Sequence, residues 1–149
     1  MKMSADLVQR NESSVTAIAD HLRACDDSFV PPLGSRVEID DYAAKIVARA
    51  ERFEAWSGSC LVGLLAAYCN DPARKVAFVT SVSVLPGWQG QGVASRLLRA
   101  CVEHARQGRL ERIELEVDPR NSAATLLYQK HGFAIACAHD QTQTWQLAL

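Results

Sequence analysis

A valine-rich run, Val76 to Leu85, leads into Pro86-Gly87 and then into Gln89-Gly90-Gln91-Gly92. Beyond it Val93, Leu97, Leu98, Cys101, Val102 and Ala105 recur at helical spacing until Gly108, a residue suited to stop a helix. A strand, a glycine turn and a helix start in immediate succession exclude a purely helical or purely β chain. The first turn of a helix leaves N–H groups without partners, and the helix dipole adds partial positive charge there. Glycines let an anion approach the backbone closely. Residues Gln89 to Ala94 are therefore expected to hold a phosphate or pyrophosphate. The turn is not a Walker A loop, since no Gly-Lys-Ser/Thr follows. Gly90-x-Gly92-x-x-Ser95 also departs from the dinucleotide fingerprint, which needs its first glycine directly after the strand.

The rest of the chain alternates strands and helices. Ala5 to Gln9 reads as a short strand, and Asn11 as the cap of a helix carrying Val15, Ile18, Ala19 and Leu22 on one face. A loop with Pro31, Pro32 and Gly34 spans Asp26 to Arg36. Asp40 or Asp41 caps a second helix with Tyr42, Ile46 and Ala50 inward. Arg52 to Trp56, Cys60 to Tyr68 and Val76 to Leu85 read as an antiparallel meander, turning at Ser57-Gly58 and Asn70-Asp71-Pro72. Arg112 to Val117 alternates Ile113, Leu115 and Val117 against Glu114 and Glu116, giving one apolar and one polar face. Asn121 or Ser122 caps a helix through Lys130, ended by Gly132, and Phe133 to Ala138 with Thr142 to Leu147 form a closing hairpin. The order β-α-α-β-β-β-α-β-α-β-β requires crossovers, so the expected class is α/β (α+β) with a mixed sheet.

A chain of 149 residues without internal repeat or linker reads as one domain, 1–149. Sixteen Lys+Arg against 17 Asp+Glu give a formal charge of −1, which argues against counterion-driven nucleic-acid binding. No apolar run approaches the roughly 20 residues of a membrane span, and no secretory signal is read at the N-terminus, so a cytoplasmic protein is expected. The five cysteines, Cys25, Cys60, Cys69, Cys101 and Cys137, have neither disulfide nor zinc spacing. Cys60, Cys69 and Cys101 read as small buried hydrophobes. No metal is expected.

The stretch Val82 to Leu98 resembles the acetyl-CoA signature of the GCN5-related N-acetyltransferases (GNAT), whose core is Gln/Arg-x-x-Gly-x-Gly/Ala. Gln89, Gly92 and Ala94 match it, with the frequent extra glycine at Gly90. A second block matches as well, Asn121-x-x-Ala124-x-x-Leu127-Tyr128-x-Lys130-x-Gly132-Phe133. The resemblance implies a central, mixed, mostly antiparallel sheet flanked by about four helices, with acetyl-CoA in the splay between the fourth and fifth strands. It implies that the main chain of Gln89, Gly90, Gln91, Gly92, Val93 and Ala94 holds the pyrophosphate of the co-substrate. Val82 and Val84 then face its pantetheine arm, and Asn121 contacts that arm, a role compatible with capping a helix. Tyr128 resembles the family's general acid, a phenol able to protonate the departing thiolate. Glu116, three residues before Pro119 at a strand end, resembles a base acting through water; Glu114 is a weaker candidate. Members with a glutamate base on the strand before the glycine turn have no counterpart here, where Phe78, Val79, Thr80 and Ser81 stand.

The implied function is an acetyl-CoA-dependent N-acetyltransferase in which the amine attacks directly, with no acylated Cys101 or Cys137. Loss of catalysis, leaving a CoA-binding module, is the alternative. Between Asp26 and Asp41 stand Asp26, Asp27, Glu38, Asp40 and Asp41 against the single Arg36. An acidic rim would attract a cationic amine, so Asp26, Asp27 and Phe29 are candidate acceptor contacts. The expected acceptor is a small-molecule amine, with a protein N-terminus or lysine second. Many members are homodimers, and the C-terminal hairpin with Trp145 is the place expected for such a contact.

Overall fold

The computed structural model describes residues 8–71 and 73–149. One sheet of seven strands runs through it: β1 (Gln9–Arg10), β2 (Glu51–Ser57), β3 (Cys60–Tyr68), β4 (Val76–Val84), β5 (Arg112–Val117), β6 (Ala134–His139) and β7 (Thr142–Ala148). The helices are α1 (Val15–Ala24), α2 (Ile39–Arg49), α3 (Val93–Gln107) and α4 (Ser122–Lys130). The sheet order is β1-β2-β3-β4-β5-β7-β6. Every pairing is antiparallel except β4 with β5, because α3 carries the chain back across the sheet before β5 starts. The mixed, mostly antiparallel sheet expected from the sequence is the one observed. Of the first expected strand, Ala5 to Leu7 lie outside the described residues.

Two apolar layers sandwich the sheet. Ile18 and Leu22 of α1 and Ile46 of α2 pack on Leu61, Leu64 and Ala66 of β3. On the other face Leu97, Leu98 and Cys101 of α3 pack on Phe53, Val62, Leu65 and Ile113. β3 is buried on both faces, hence its unbroken apolar sequence. Gly63 lies where α3 meets the sheet, and a Cβ there would fall 2.7 Å from Val93 Cγ1.

The N-terminal caps differ from those expected. Ser14, not Asn11, caps α1, its Oγ accepting from the amide of Ala17 at 3.1 Å. Asn11 instead takes a left-handed turn (φ 58°) and bonds across to β2, accepting from Arg52 N and donating to Glu51. Glu38, rather than Asp40 or Asp41, caps α2 by accepting from Asp41 N, so the helix starts earlier than expected. Cys60 is exposed at the β2–β3 turn and Cys69 is half-buried, so among the three cysteines expected inside only Cys101 is. The C-terminal hairpin places Trp145 in the core, 3 % exposed, while all of β6 is exposed. Among the described residues no helix is long and apolar enough to cross a membrane, and no group of His, Cys, Asp or Glu is placed to hold a metal ion.

Candidate active site

The site begins with a miscount between two strands. Ala66 pairs with Ser81 while Ala67 pairs with Val79, so Thr80 is an extra residue on β4, a β-bulge. β4 and β5 pair from Val76 and Arg112 as far as Val79 and Leu115, and no further. Beyond the bulge the β5-facing backbone groups of residues 80–84 have no strand partner. This is the splay the sequence resemblance implied. Tyr42 of α2 braces it, its hydroxyl 2.8 Å from the Thr80 carbonyl oxygen and 2.7 Å from Thr80 Oγ1.

One cavity, of about 300 Å³, follows that open strand edge. Val82, Ser83 and Val84 form one wall, Leu127 and Tyr128 of α4 another, and Gly90, Gly92, Val93 and Ala94 close the end. Gly90 and Gly92 have φ of 79° and 80°, a conformation that favours glycine. Gly92 is the N-cap of α3 without any side-chain cap, and the first helical bond runs from Arg96 N to its carbonyl. The amides of residues 93–95 therefore have no acceptor within the helix. Gln89 fixes the turn from behind: its Nε2 donates to Val84 O at 3.1 Å and to Ser28 Oγ at 3.2 Å. Gln91 does not line this cavity; its carbonyl accepts from Arg96 Nη1.

A second cavity, of about 490 Å³, adjoins the first. Phe29, Val30, Leu33, Val37 and Tyr42 give it apolar walls, and Arg36, Glu116 and Asp118 line it with charge. The two cavities share Phe29, Val82, Asn121, Ala124 and Tyr128. Asn121 caps α4, its Oδ1 accepting from Ala124 N at 3.1 Å, so the capping role stands beside its place on both cavities.

Tyr128 is 7 % exposed, with its ring 5.7 Å from that of Phe133. No hydrogen bond to another described residue reaches its hydroxyl. Burial pushes its phenol up to about 12, since a phenolate there would lose its hydration. Glu116 is exposed at the end of β5, on the polar face opposite Leu115 and Val117. Glu114 lines neither cavity and is engaged by Arg112 at 2.8 Å and Arg74 at 3.6 Å. Asp118 is held by Arg120, whose side chain and amide hydrogen-bond its carboxylate and keep it below the usual range.

The structure does not bring the expected acidic rim to either cavity. Asp26 Oδ1 accepts from Gly34 N at 2.6 Å, closing the loop on itself, and Asp27 lines neither cavity. Phe29 lines both. Arg36, Trp88, Ser83 and Leu127 line the cavities without having been singled out by sequence. Arg36 had one signal, as the lone cation of an acidic loop. Behind Ser83, the buried His21 donates from Nδ1 to Leu61 O at 2.8 Å and accepts at Nε2 from Ser83 Oγ at 2.9 Å.

The sequence profile of the acetyltransferase (GNAT) family matches residues 15–133, well over half of the chain. The chain belongs to that family. Over 62 residues it is 37% identical to an uncharacterised N-acetyltransferase of Bacillus subtilis (strain 168), a match covering 42% of this chain and 40% of that protein. It is 42% identical, again over 62 residues, to the mycothiol acetyltransferase of Nocardiopsis dassonvillei, covering 42% of this chain and 19% of that one. The chain thus matches less than half the length of these curated relatives. In shape it is similar to the PaiA N-acetyltransferase of Thermoplasma acidophilum in complex with coenzyme A, with TM-score 0.73 at 12% identity over 96% of this chain and 99% of the other. In this GNAT chain the two cavities meet at Val82 of β4, beyond the last residues that pair β4 with β5.

Proposed function

We propose that this GNAT chain transfers an acetyl group from acetyl-CoA to the primary amine of a small molecule. The observation that carries the reading is the meeting of the two cavities at Tyr128. Each is suited to a different reactant. The first offers an anion site and an unpaired strand edge, and its lining is partly apolar through Trp88, Val93 and Leu127. Those features suit a pyrophosphate followed by an amide-bearing arm, as in acetyl-CoA. In this reading the amides at Gln89 to Ala94, with Gln91 contributing main chain only, hold the pyrophosphate. Val82, Val84 and Asn121 line the arm. The second cavity takes the amine.

Acetyl-CoA supplies an acetyl carbon activated as a thioester. Glu116, through water, takes one proton from the arriving ammonium. The amine nitrogen then bonds to the acetyl carbon, the carbon–sulfur bond breaks, and the sulfur leaves with the Tyr128 hydroxyl proton. The second amine proton returns to the Tyr128 oxygen, so one proton is released per turnover. Burial pushes the Tyr128 phenol up to about 12, so it holds its proton until the sulfur leaves. Cys101 and Cys137 line neither cavity, which supports direct attack.

The test is thermal unfolding with acetyl-CoA and NAD in parallel, followed by thiol release with added amines. At a hundred times its dissociation constant a ligand stabilises by about 2.7 kcal/mol. A shift with acetyl-CoA together with amine-dependent thiol release is expected. A shift without release from any amine points to a CoA-binding module, and a shift with NAD alone overturns the assignment.

A further inference from the structure

The acceptor cavity carries two uncompensated charges of opposite sign. Arg36, Glu116 and Asp118 are the Arg, Lys, Asp and Glu residues lining it among the described residues. Asp118 is already neutralised, gripped by Arg120 at 2.6 Å. Neither Arg36 nor Glu116 forms an ion pair or a side-chain hydrogen bond with a described residue. Arg36 lines the same cavity as Tyr42, Thr80 and Tyr128. Phe29, Val37 and Phe78 give the same cavity apolar wall.

We propose that the acceptor is an amino carboxylate with an apolar side chain, its carboxylate on Arg36 and its ammonium facing Glu116. This rests on the transferase reading above and names the substrate class for it. Arg36 stands solvent-exposed at the cavity wall, where its charge attracts an anionic group on the acceptor and repels a polyamine. A planar guanidinium is matched to a carboxylate, which it can hold by two parallel hydrogen bonds. The aspartates that would have favoured a polycation, Asp26 and Asp27, are outside the cavity. A peptide N-terminus would place an uncharged amide where this class places its carboxylate.

The experiment measures acetylation by the full chain with acetyl-CoA and matched acceptors: leucine and phenylalanine, their carboxamides, the corresponding amines lacking the carboxyl group, and spermidine. A charge-assisted pair is expected to favour each acid over its carboxamide by roughly ten- to a hundredfold in kcat/KM. Arg36→Gln should bring that ratio toward one, chiefly by raising KM for the acids, and Arg36→Lys should restore part of it. Acids and carboxamides used equally well, spermidine preferred, or an unchanged ratio in Arg36→Gln each overturn the proposal while leaving the transferase reading intact. No acetylation of these amines, with thiol release from another primary amine, overturns this inference alone; no release from any amine despite acetyl-CoA binding overturns the transferase reading with it.

Discussion

The hydroxyl of Tyr42 holds both the carbonyl oxygen and the Oγ1 of Thr80, at 2.8 and 2.7 Å. A helix side chain thereby braces the one residue by which β4 outnumbers β3. Without the brace the extra residue has no ladder partner to hold its carbonyl. Tyr42→Phe removes the hydroxyl and leaves the ring. It should cost about 1–2 kcal/mol, seen as a lower denaturant midpoint at unchanged slope. Because Thr80 lines the acceptor cavity, the variant should raise KM for the acceptor more than it weakens acetyl-CoA binding. An unchanged midpoint would show that the bulge is set by β3 alone.

Tyr128→Phe keeps the ring that packs on Phe133 and deletes only the proton. Turnover should fall by about 10²–10⁴, with acetyl-CoA affinity nearly intact. The phenol is pushed up to about 12 by burial, so it stays protonated through the working range. Its deprotonation should contribute no alkaline fall in kcat through neutral and mildly alkaline pH in the native enzyme. A variant with native turnover would remove Tyr128 from the proton path.

Much of this was legible in the sequence because local chemistry agreed with the final packing. The run Val76 to Val84, the positive-φ glycines at 90 and 92, and the alternation from Arg112 to Val117 each depend on residues close in sequence. The capping residues were not legible. Asn11 and Ser14 are chemically interchangeable caps, and tertiary contacts chose between them: Asn11 is drawn off to β2 by Arg52 and Glu51. Asp26 and Asp27 show the same limit. Their charge suggested a rim, but the short loop turns Asp26 onto Gly34 N. Arg36 and Tyr42 acquire their roles only when the loop and α2 fold over the bulge, an arrangement with no signature at short sequence separation.

Gly63 is where the sheet admits the helix that presents the anion site. A Cβ at this position would lie 2.7 Å from Val93 Cγ1 and 3.2 Å from Leu97 Cδ1. Val93 is the first residue of α3, so relief of the overlap must push the helix start outward. Gly63→Ala should cost about 1–3 kcal/mol through overpacking and weaken acetyl-CoA binding at the same time. Adding Val93→Ala removes the nearer clashing atom and should recover part of both losses. Recovery of stability without recovery of binding would show that the glycine turn, not the position of α3, sets the grip.

The buried His21 gives stability a pH dependence of definite sign. Its ring is 3 % exposed, and desolvation holds its pKa below the ordinary 6.5, although hydrogen bonds at Leu61 and Ser83 oppose the shift. The folded chain therefore keeps His21 neutral where the unfolded chain has already taken up a proton. Its stabilising effect is fully present above about pH 6.5 and is lost as pH falls from there toward the lowered folded value. Within that window one proton contributes a slope of at most about 1.4 kcal/mol per pH unit. The other group facing Nε2 is the Cys25 thiol at 3.7 Å, pushed up to about 11 by burial and silent in this range. His131 is also lowered by burial and adds a slope of the same sign, so the informative quantity is a difference. His21→Gln can still donate toward Leu61 and accept from Ser83 but cannot titrate. Denaturant unfolding between pH 7.5 and 5 should show a shallower loss of stability in the variant than in the native chain. Parallel curves would mean that the native protein accommodates a charged His21, with Ser83 turning its hydroxyl to accept instead of donate.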